Sequence, residues 1–276
     1  MSIFGTLFER DLDPGKRSQL GAHYTDPATI MRIVEPVLQR PLLKMWDETA
    51  TIIKKLLIKS KRKGDANYKL GLAEFVGWLN HLKDYRVLDP ACGSGNFLFL
   101  GLKTLKDIEL KSHFDAQELG LDREADLVTG PHNMLGSELN EYAAELARVT
   151  VWIGELQWRL THGYEFKTNP VLEPLDHIEC RDALIEFLPS PNKLPLPPGE
   201  GRGEGSPSPL AVEAVWPKAS VVIGNPPYLG DKRMRSELGD DYTDAVRSTY
   251  KGRVPGSADL ICFWFEKVGA AIKANN

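Results

Sequence analysis

One segment constrains the fold of this chain more than any other: a short apolar strand that runs straight into a glycine-rich turn. Residues 86–88 (RVL) are the predicted strand, residues 89–96 (DPACGSGN) the turn, and a helical pattern follows from Phe97 to about Leu110. Glycine at such a turn lets the backbone approach a ligand closely, as in nucleotide-binding parallel sheets. The lysine and hydroxyl of a phosphate-binding GxxxxGK(S/T) loop are absent from this segment. We therefore predict a ligand-binding turn at the carboxyl end of a strand.

The rest of the chain alternates between strand and helix patterns, which predicts an α/β domain with a parallel sheet. The further predicted elements are a strand over 133–138, a helix over 141–160 and strands over 175–180 and 220–224. Residues 189–209 (PSPNKLPLPPGEGRGEGSPSP) interrupt the alternation. Because they offer almost nothing to bury, we predict that they form a disordered surface loop.

Helical signals dominate residues 1–84, which we assign to an N-terminal helical region ahead of the α/β domain over 85–276. Asp26 followed by Pro27 is a typical start of a helix. The apolar residues that follow at helical spacing are Ile30, Ile33, Val34, Val37 and Leu38. A second helical stretch, over 41–63, ends in a run of lysine and arginine. We interpret this run as a solvated helix face, with phosphate contact as the alternative.

Charge and cysteine content narrow the class of protein. The 34 Lys and Arg residues against 38 Asp and Glu residues give a net charge of −4. Without a basic excess, any grip on nucleic-acid phosphates must be local or supplied from elsewhere. The three cysteines, Cys92, Cys180 and Cys262, lie far apart, which argues against a disulfide framework and against a zinc site. No secretory signal or membrane-spanning stretch is visible, so we expect a cytoplasmic protein without a membrane partner.

Acidic residues end two of the predicted strands. A carboxylate at Asp89 suits a cationic ammonium group and would repel a phosphate, so the turn fits an aminoacyl-type ligand better than a dinucleotide. Glu138 ends the next strand, where a carboxylate can accept hydrogen bonds from ribose hydroxyls. It lies farther from Gly95 than the roughly 20 residues of the dinucleotide fingerprint. We attribute this spacing to a polar, acidic insertion over about 112–131.

The most specific signal is the segment over residues 225–228 (NPPY), directly after a predicted strand. Its two prolines fix φ near about −65° and make the turn at the end of the strand rigid. The side-chain oxygen of Asn225, with a neighbouring backbone carbonyl, can accept both hydrogens of a planar exocyclic amine. This arrangement would aim the lone pair of the amine at an electrophile. Tyr228 can stack on the base that carries the amine, a contact worth about 1–3 kcal/mol.

These segments resemble motifs I (residues 89–97) and IV (225–228) of N6-adenine DNA methyltransferases. Further segments resemble motifs X, II, III and V: residues 21–25 (GAHYT), 136–140 (GSELN), 178–182 (IECRD) and 258–266 (ADLICFWFE). The amino-acid sequences of these motifs are most similar to those of large type IIG restriction–modification methylases and related phage-defence methylases, and the resemblance covers about residues 20–270. The resemblance implies a Rossmann-like, class I S-adenosylmethionine-dependent methyltransferase sheet.

The resemblance also implies a role for each matching residue. The cofactor-binding residues that it implies are Thr25, Asp89, Ala91, Cys92, Gly93, Gly95, Glu138, Asp182, Ala183 and Trp264. Glu138 would hold the ribose of S-adenosylmethionine and Asp182 the amino group of its adenine. Trp264 or Phe263 would pack on that adenine, although a core aromatic fits the same positions. The catalytic residues that it implies are Asn225, Pro226, Pro227 and Tyr228. They would hold the amine of a flipped adenine in double-stranded DNA during direct methyl transfer.

The end of the chain departs from the family pattern. The chain stops directly after the motif V helix, where the family's sheet continues and a target-recognition domain follows. We therefore expect a truncated chain that contains part of the sheet and meets DNA through a domain missing from it. The strand over 220–224 would then lie at an open apolar edge, which predicts self-association or pairing with a partner chain.

Two other functions are consistent with the same residues. The first is methylation of another planar amine, namely cytosine N4, guanine N2 in RNA or a protein glutamine, because the chemistry of residues 225–228 serves all of these. The motif I residues that favour the DNA adenine group are Pro90, Cys92, Asn96 and Phe97. The second is a catalytically silent cofactor-binding or assembly module, which the expected truncation would explain.

Overall fold

The computed structural model describes residues 25–122, 126–164, 175–188 and 210–275. The described residues form two compact units. Unit 1 contains those up to Cys180 together with Ala219–Gly224, and unit 2 contains those in Arg181–Lys218 and from Asn225 onward.

Two predicted segments lie outside the described residues, and one predicted domain boundary does not coincide with the boundary between the units. The motif X residues 21–24 and the predicted loop over 189–209 lie outside the described residues. The boundary predicted after residue 84 does not separate the two units, because the helices before it belong to unit 1 together with the sheet. As a domain boundary it stays a prediction.

The secondary structure contains both helices and strands throughout the described residues. The helices are α1 (Pro27–Val34), α2 (Arg40–Ile58), α3 (Ala66–Asp84), α4 (Asn96–Glu118), α5 (Glu141–Thr161), α6 (Asp231–Leu238), α7 (Asp240–Thr249) and α8 (Leu260–Asn275). The strands are β1 (Val87–Asp89), β2 (Met134–Glu138), β3 (Ile178–Cys180), β4 (Ile185–Phe187), β5 (Ala211–Glu213) and β6 (Val221–Val222). A π-helical turn, Glu35–Gln39, joins α1 to α2. Among the described helices, none combines the length and apolar character needed to cross a membrane.

Unit 1 is built on a four-stranded sheet of order β3-β2-β1-β6, and all its strands are parallel. The predicted parallel sheet is therefore confirmed. Leu88 in β1 pairs with Leu135 in β2 and with Val222 in β6. Strand β6 is shorter than predicted: after Val222, one more bond joins Ile223 N to Leu88 O (2.9 Å). The pairing stops there because β1 itself ends at Asp89.

Helix α1 begins as predicted, because Asp26 Oδ1 accepts hydrogen bonds from Ala28 N (3.0 Å) and Thr29 N (3.1 Å). The residues that face the core, four positions apart, are Ile30, Val34 and Leu38. Ile33 and Val37, which also fall at helical spacing, are 39% and 42% exposed. Residues four apart stack on one face of a helix, and these two lie one position away from that face.

Helix α4 is longer than predicted and contains the first part of the predicted insertion over about 112–131. The helix continues to Glu118, and a buried carboxylate anchors the later part of the segment. Glu109 Oε1 accepts a hydrogen bond from Val128 N (2.7 Å), and its Oε2 accepts one from Thr129 N (2.9 Å). The segment is therefore tied to the core of unit 1.

Unit 2 contains an antiparallel pair, β4 and β5, that the sequence did not predict, and the helices α6, α7 and α8. Tyr250 and Phe263 are buried in this unit, with their rings edge to face at a centroid distance of 5.5 Å. The hydroxyl of Tyr250 donates to Leu184 O (3.0 Å). Tyr250, directly after α7, thus packs against Phe263 of α8 and is hydrogen-bonded to the residue that precedes β4.

Candidate functional site

The glycine-rich turn after β1 is fastened to β2 by its backbone. Cys92 N donates to Ser137 O (3.0 Å), and Gly95 N donates to Cys92 O (2.8 Å). Gly93 and Gly95 have φ values of 51° and 83°, a region in which a residue with a Cβ is strained. The predicted turn therefore exists, and it lies at the carboxyl ends of β1 and β2, where parallel α/β sheets bind their ligands.

Gly95 also permits a close approach between the start of α4 and the backbone of α5. A Cβ at Gly95 would lie 2.9 Å from Ala147 Cα and 3.1 Å from Ala147 O. Both atoms belong to a helix backbone, which cannot move aside as a flexible side chain can. Glycine at this position therefore sets the spacing of the two helices beside the turn.

We expect Gly95→Ala to lower the free energy of unfolding by about 2–4 kcal/mol, from the left-handed backbone and the overpacking together. Gly64→Ala is the matched control, because Gly64 also has a positive φ (88°) but its Cβ would meet nothing within 4 Å. The control should lose only about 1–2 kcal/mol. Urea unfolding of both variants measures the difference, and equal losses would contradict the close contact with Ala147.

The carboxyl group of Asp89 is buried at the end of β1, with 1% of the residue exposed. Its Oδ1 accepts a hydrogen bond from Ala91 N (3.1 Å), while its Oδ2 is buried without a hydrogen-bond partner among the described residues. Burial, with a smaller effect of the nearby Glu138 charge, raises the pKa of Asp89 to about 8. A Cβ at Gly224 would lie 2.5 Å from Asp89 Oδ1, so glycine there lets the chain pass beside the carboxyl group.

Glu138 ends β2 beside the same turn and is half-buried. Its Oε2 accepts a hydrogen bond from Gly93 N (2.9 Å), and its Oε1 accepts one from Asn140 N (2.9 Å). These bonds fix the carboxylate, and each oxygen keeps a second lone pair for a further donor. The structure therefore places the carboxyl groups of Asp89 and Glu138 beside the same glycine-rich turn.

Cys92 is packed rather than reactive. The residue is 5% exposed, and burial raises the pKa of its thiol well above the ordinary value. A Cβ at Gly136 would lie 3.1 Å from Cys92 Sγ, so the thiol fills the space that this glycine leaves on β2. The neighbouring Ala91 contributes its N–H to Asp89. Cys92 therefore shapes the wall of the turn.

The segment over residues 225–228 follows directly on Gly224, the last residue of unit 1 in this part of the chain. Asn225 and both prolines are half-buried, whereas Tyr228 is 71% exposed. An exposed aromatic ring at the end of a proline-stiffened loop is available for stacking. The segment belongs to unit 2.

The remaining predicted cofactor residues lie mostly in unit 2. Asp182 Oδ1 accepts hydrogen bonds from Leu184 N (2.6 Å) and Ile185 N (3.1 Å), which shape the turn before β4. Trp264 is buried on α8, and its Nε1 has no hydrogen-bond partner among the described residues. Thr25 is half-buried and directly precedes Asp26, the N-cap residue of α1. The roles of these residues stay predictions.

Two aromatic residues of unit 2 were missed by the sequence analysis. Tyr242 forms a side-chain hydrogen bond with Asp182, and burial together with the charge of Asp182 raises the pKa of its hydroxyl. Trp216 Nε1 donates to Ala183 O (2.8 Å). Neither residue lies within a recognisable motif, so the sequence offers no signal that would have found them.

The sheet order, the glycine-rich turn and the acidic ends of β1 and β2 define a Rossmann-like methyltransferase fold. The solved structure of the type IIL restriction–modification enzyme MmeI in complex with DNA is similar, with a TM-score of 0.63 and 21% sequence identity. The match covers 99% of this chain and 31% of that chain. At this identity the likeness shows the fold alone.

Residues 62–276 match the family described as MmeI, DNA-methyltransferase domain, and the chain belongs to this family. DNA methyltransferase A of Bacillus subtilis (strain 168) is 28% identical over 274 residues, which are 95% of this chain and 26% of that protein. A putative type II restriction enzyme and methyltransferase of Methanocaldococcus jannaschii is 25% identical over 170 residues, 56% of this chain and 14% of that protein. The resemblance to restriction–modification methyltransferases is confirmed, and the chain spans only part of each relative's length.

Proposed function

We propose that this chain is the catalytic part of a DNA methyltransferase that transfers a methyl group from S-adenosylmethionine to adenine N6. The observation that carries the proposal is the pair of carboxyl groups, Asp89 and Glu138, around the glycine-rich turn. The family and the names of its relatives support DNA as the substrate of a restriction–modification enzyme, and a phage-defence enzyme is the related form of the same proposal. Double-stranded DNA would be held in part by a domain outside this chain.

The residues of the turn fit S-adenosylmethionine. The unpartnered Oδ2 of buried Asp89 can accept a hydrogen bond from the ammonium group, and the free lone pairs of Glu138 suit the ribose hydroxyls. When bound, this cofactor supplies an electrophilic methyl group on a positively charged sulfur. Asp182 and Trp264 of unit 2 are the proposed partners of its adenine.

Asn225 and Tyr228 are the proposed residues for the target base. The side-chain oxygen of Asn225 would accept a hydrogen bond from the adenine amine, and the exposed ring of Tyr228 would stack on the flipped base. Pro226 and Pro227 hold the two residues in a rigid loop. The chemistry depends on orientation and not on a general base, because an alkylated amine loses its proton readily.

A nucleoside-resolved methylation assay with the natural form of the protein tests this function. The expected product on unmethylated double-stranded DNA is N6-methyladenine. A label on cytosine N4, on RNA guanine or on a protein glutamine would assign the same site to another amine. The absence of methyl transfer from a protein that binds the cofactor would instead favour an assembly module, with β6 at an edge for partner pairing.

We expect both Asp89→Ala and Asp89→Asn to weaken the affinity for S-adenosylhomocysteine by at least about 30-fold. This factor corresponds to about 2 kcal/mol, the low end of the about 2–5 kcal/mol that is lost when one partner of a buried charged pair is removed. The asparagine variant keeps the size of the side chain, but it loses the charge and replaces one carboxylate oxygen with an amide NH2 group. Calorimetric titration of the wild-type chain and both variants measures the affinity. Wild-type affinity in Asp89→Asn would contradict pairing between this carboxylate and the ammonium group.

The raised pKa of Asp89 adds a pH dependence with a definite sign. Because its folded pKa of about 8 lies above the ordinary 3.8, the stability contributed by this group is full at low pH and is lost as the pH rises toward 8. A bound ammonium group favours the ionised carboxylate, so ligand binding below pH 8 should release a proton. Affinity should then rise with pH until about 8 in the wild type and stay flat in Asp89→Asn.

A further inference from the structure

The loop that carries Asn225 and Tyr228 is held at its exit by the beginning of α8. Leu260 N donates to Leu229 O (2.9 Å), and Asp231 N donates to Asp259 Oδ1 (2.8 Å). These two bonds fix the backbone directly after the NPPY segment. Asp259 lies 28 residues further along the chain than Asp231, so the contact is tertiary.

Asp259 supplies an acceptor that α6 lacks at its own start. The first N–H groups of a helix have no partner within the helix, and a capping side chain usually accepts one of them. The N-cap of α6 is Gly230, which has no side chain to do so. Asp259 Oδ1 takes this role for the first amide of the helix, while the side chain of Asp231 pairs with Arg247.

We propose that Asp259 is a positioning residue for methyl transfer: it anchors the exit of the catalytic loop and thereby sets the position of Asn225 and Tyr228. The inference rests on the proposed function. The two prolines restrict the backbone within the loop itself. Without Asp259 the exit loses one of its two hydrogen bonds, and the loop can shift although α6 remains helical.

The first test compares Asp259→Ala with Asp259→Asn in the natural form of the protein. We expect the alanine variant to lower kcat about 100-fold, the effect of a displacement of roughly 1 Å in a reacting group. The affinity for S-adenosylhomocysteine should stay close to the wild-type value, because the variant changes none of the proposed cofactor residues and removes a hydrogen bond to the start of α6. The asparagine variant keeps a carbonyl acceptor and should recover most of the activity. Asp240→Ala, which changes another exposed aspartate at the start of a helix, is the matched control.

A second pair of variants removes the donor and leaves Asp259 in place. Asp231→Pro deletes the N–H at the first position of α6, where proline is well tolerated, and Gly230 already has a compatible extended backbone. Asp231→Ala keeps the N–H and accounts for the lost pairing with Arg247. We expect a lower kcat for the proline variant than for the alanine variant. In the Asp259→Ala background this difference should vanish, because the bond is already absent.

Three results would overturn the proposal: wild-type kcat in Asp259→Ala, failure of Asp259→Asn to recover activity, or equal kcat for Asp231→Pro and Asp231→Ala. If Asp259→Ala does not fold, as judged by lost S-adenosylhomocysteine binding, the Asp231 pair decides. If the proposed function itself is wrong, the result is distinguishable from these three, because the wild type would then leave adenine unmethylated.

Discussion

Asn225→Ala is expected to lower the rate of methyl transfer to DNA about 1,000-fold, the upper range for loss of one preorganised hydrogen-bonding group. Asn225 lies three residues after the end of β6 and begins a loop that two prolines make rigid. Its side-chain oxygen is the proposed acceptor for the target amine, so the variant would leave the lone pair of that amine conjugated with the ring and not directed at the methyl group. Transfer of a labelled methyl group under single-turnover conditions measures the chemical step.

Two comparisons separate this role from a loss of structure. Binding of S-adenosylhomocysteine should remain at the wild-type level, because its proposed ammonium and ribose partners, Asp89 and Glu138, are in the other unit. Asn225→Asp keeps a side-chain oxygen acceptor and should retain more activity than the alanine variant. Methyl transfer by Asn225→Ala at the wild-type rate would rule out the proposed role of this residue.

The turn after β1 and the acidic strand ends could be predicted because their signals are local. Residues 89–96 combine a strand end, glycines and a helix start within a few positions, and the parallel sheet then brings Asp89 and Glu138 to the same edge. The conformation of such a contiguous motif is determined mainly by its own residues. The close approach of Gly224 to Asp89 could not be predicted, because it depends on the pairing of β6 with β1.

Features made by tertiary contacts escaped the sequence analysis. The pair β4 and β5 contains three residues in each strand and has no local turn signature, because residues 189–209 separate its strands along the chain. The hydrogen bond between Asp259 and Asp231 joins two polar residues that each look like an ordinary helix start. Such contacts appear only when helices and strands from distant parts of the sequence are placed together.

Charged residues buried in the core of unit 1 are the clearest example of a feature that could not be predicted from the sequence. The insertion over about 112–131 was predicted only as polar and acidic, and nothing in the sequence indicated that polar residues in and near it are buried: Lys106, Glu109, Ser112, His113 and Thr129. Charge normally indicates a solvated surface, since an ion is costly to bury without a partner. Here the carboxylate that pairs with Lys106 comes from α5, and Glu109 binds the amides of Val128 and Thr129, so periodicity along α4 alone gives no indication of burial.

The ion pair between Lys106 and Glu155 is the centre of this buried group. Lys106 is fully buried, and its Nζ donates to Glu155 Oε1 (2.9 Å) and Thr129 O (3.2 Å). The ring of Trp158 lies 4.9 Å from the same ammonium group, and Arg159 Nε donates to Glu155 Oε1 (2.6 Å). The ion pair therefore links α4 to α5, the same two helices that approach each other closely at Gly95.

Glu155→Leu is expected to lower the free energy of unfolding by about 3–5 kcal/mol, because it leaves the ammonium group of Lys106 buried without its carboxylate. Urea unfolding with the same probe and buffer measures the loss. The double variant Glu155→Leu with Lys106→Met removes both charges and should recover most of the stability. A double variant as unstable as the single one would show that packing, and not the uncompensated charge, causes the loss.

The pH dependence of Glu155→Leu distinguishes these causes further. Burial already lowers the pKa of Lys106 in the wild type, and Glu155 opposes that shift. Without the carboxylate, the folded-state pKa of the lysine falls further, so the folded protein binds fewer protons than the unfolded chain. The stability of Glu155→Leu should therefore rise relative to wild type as the pH increases toward the ordinary lysine value of 10.5. The double variant lacks this lysine and should show no such rise, so a deficit in Glu155→Leu that stays constant with pH would exclude the buried ammonium group as its cause.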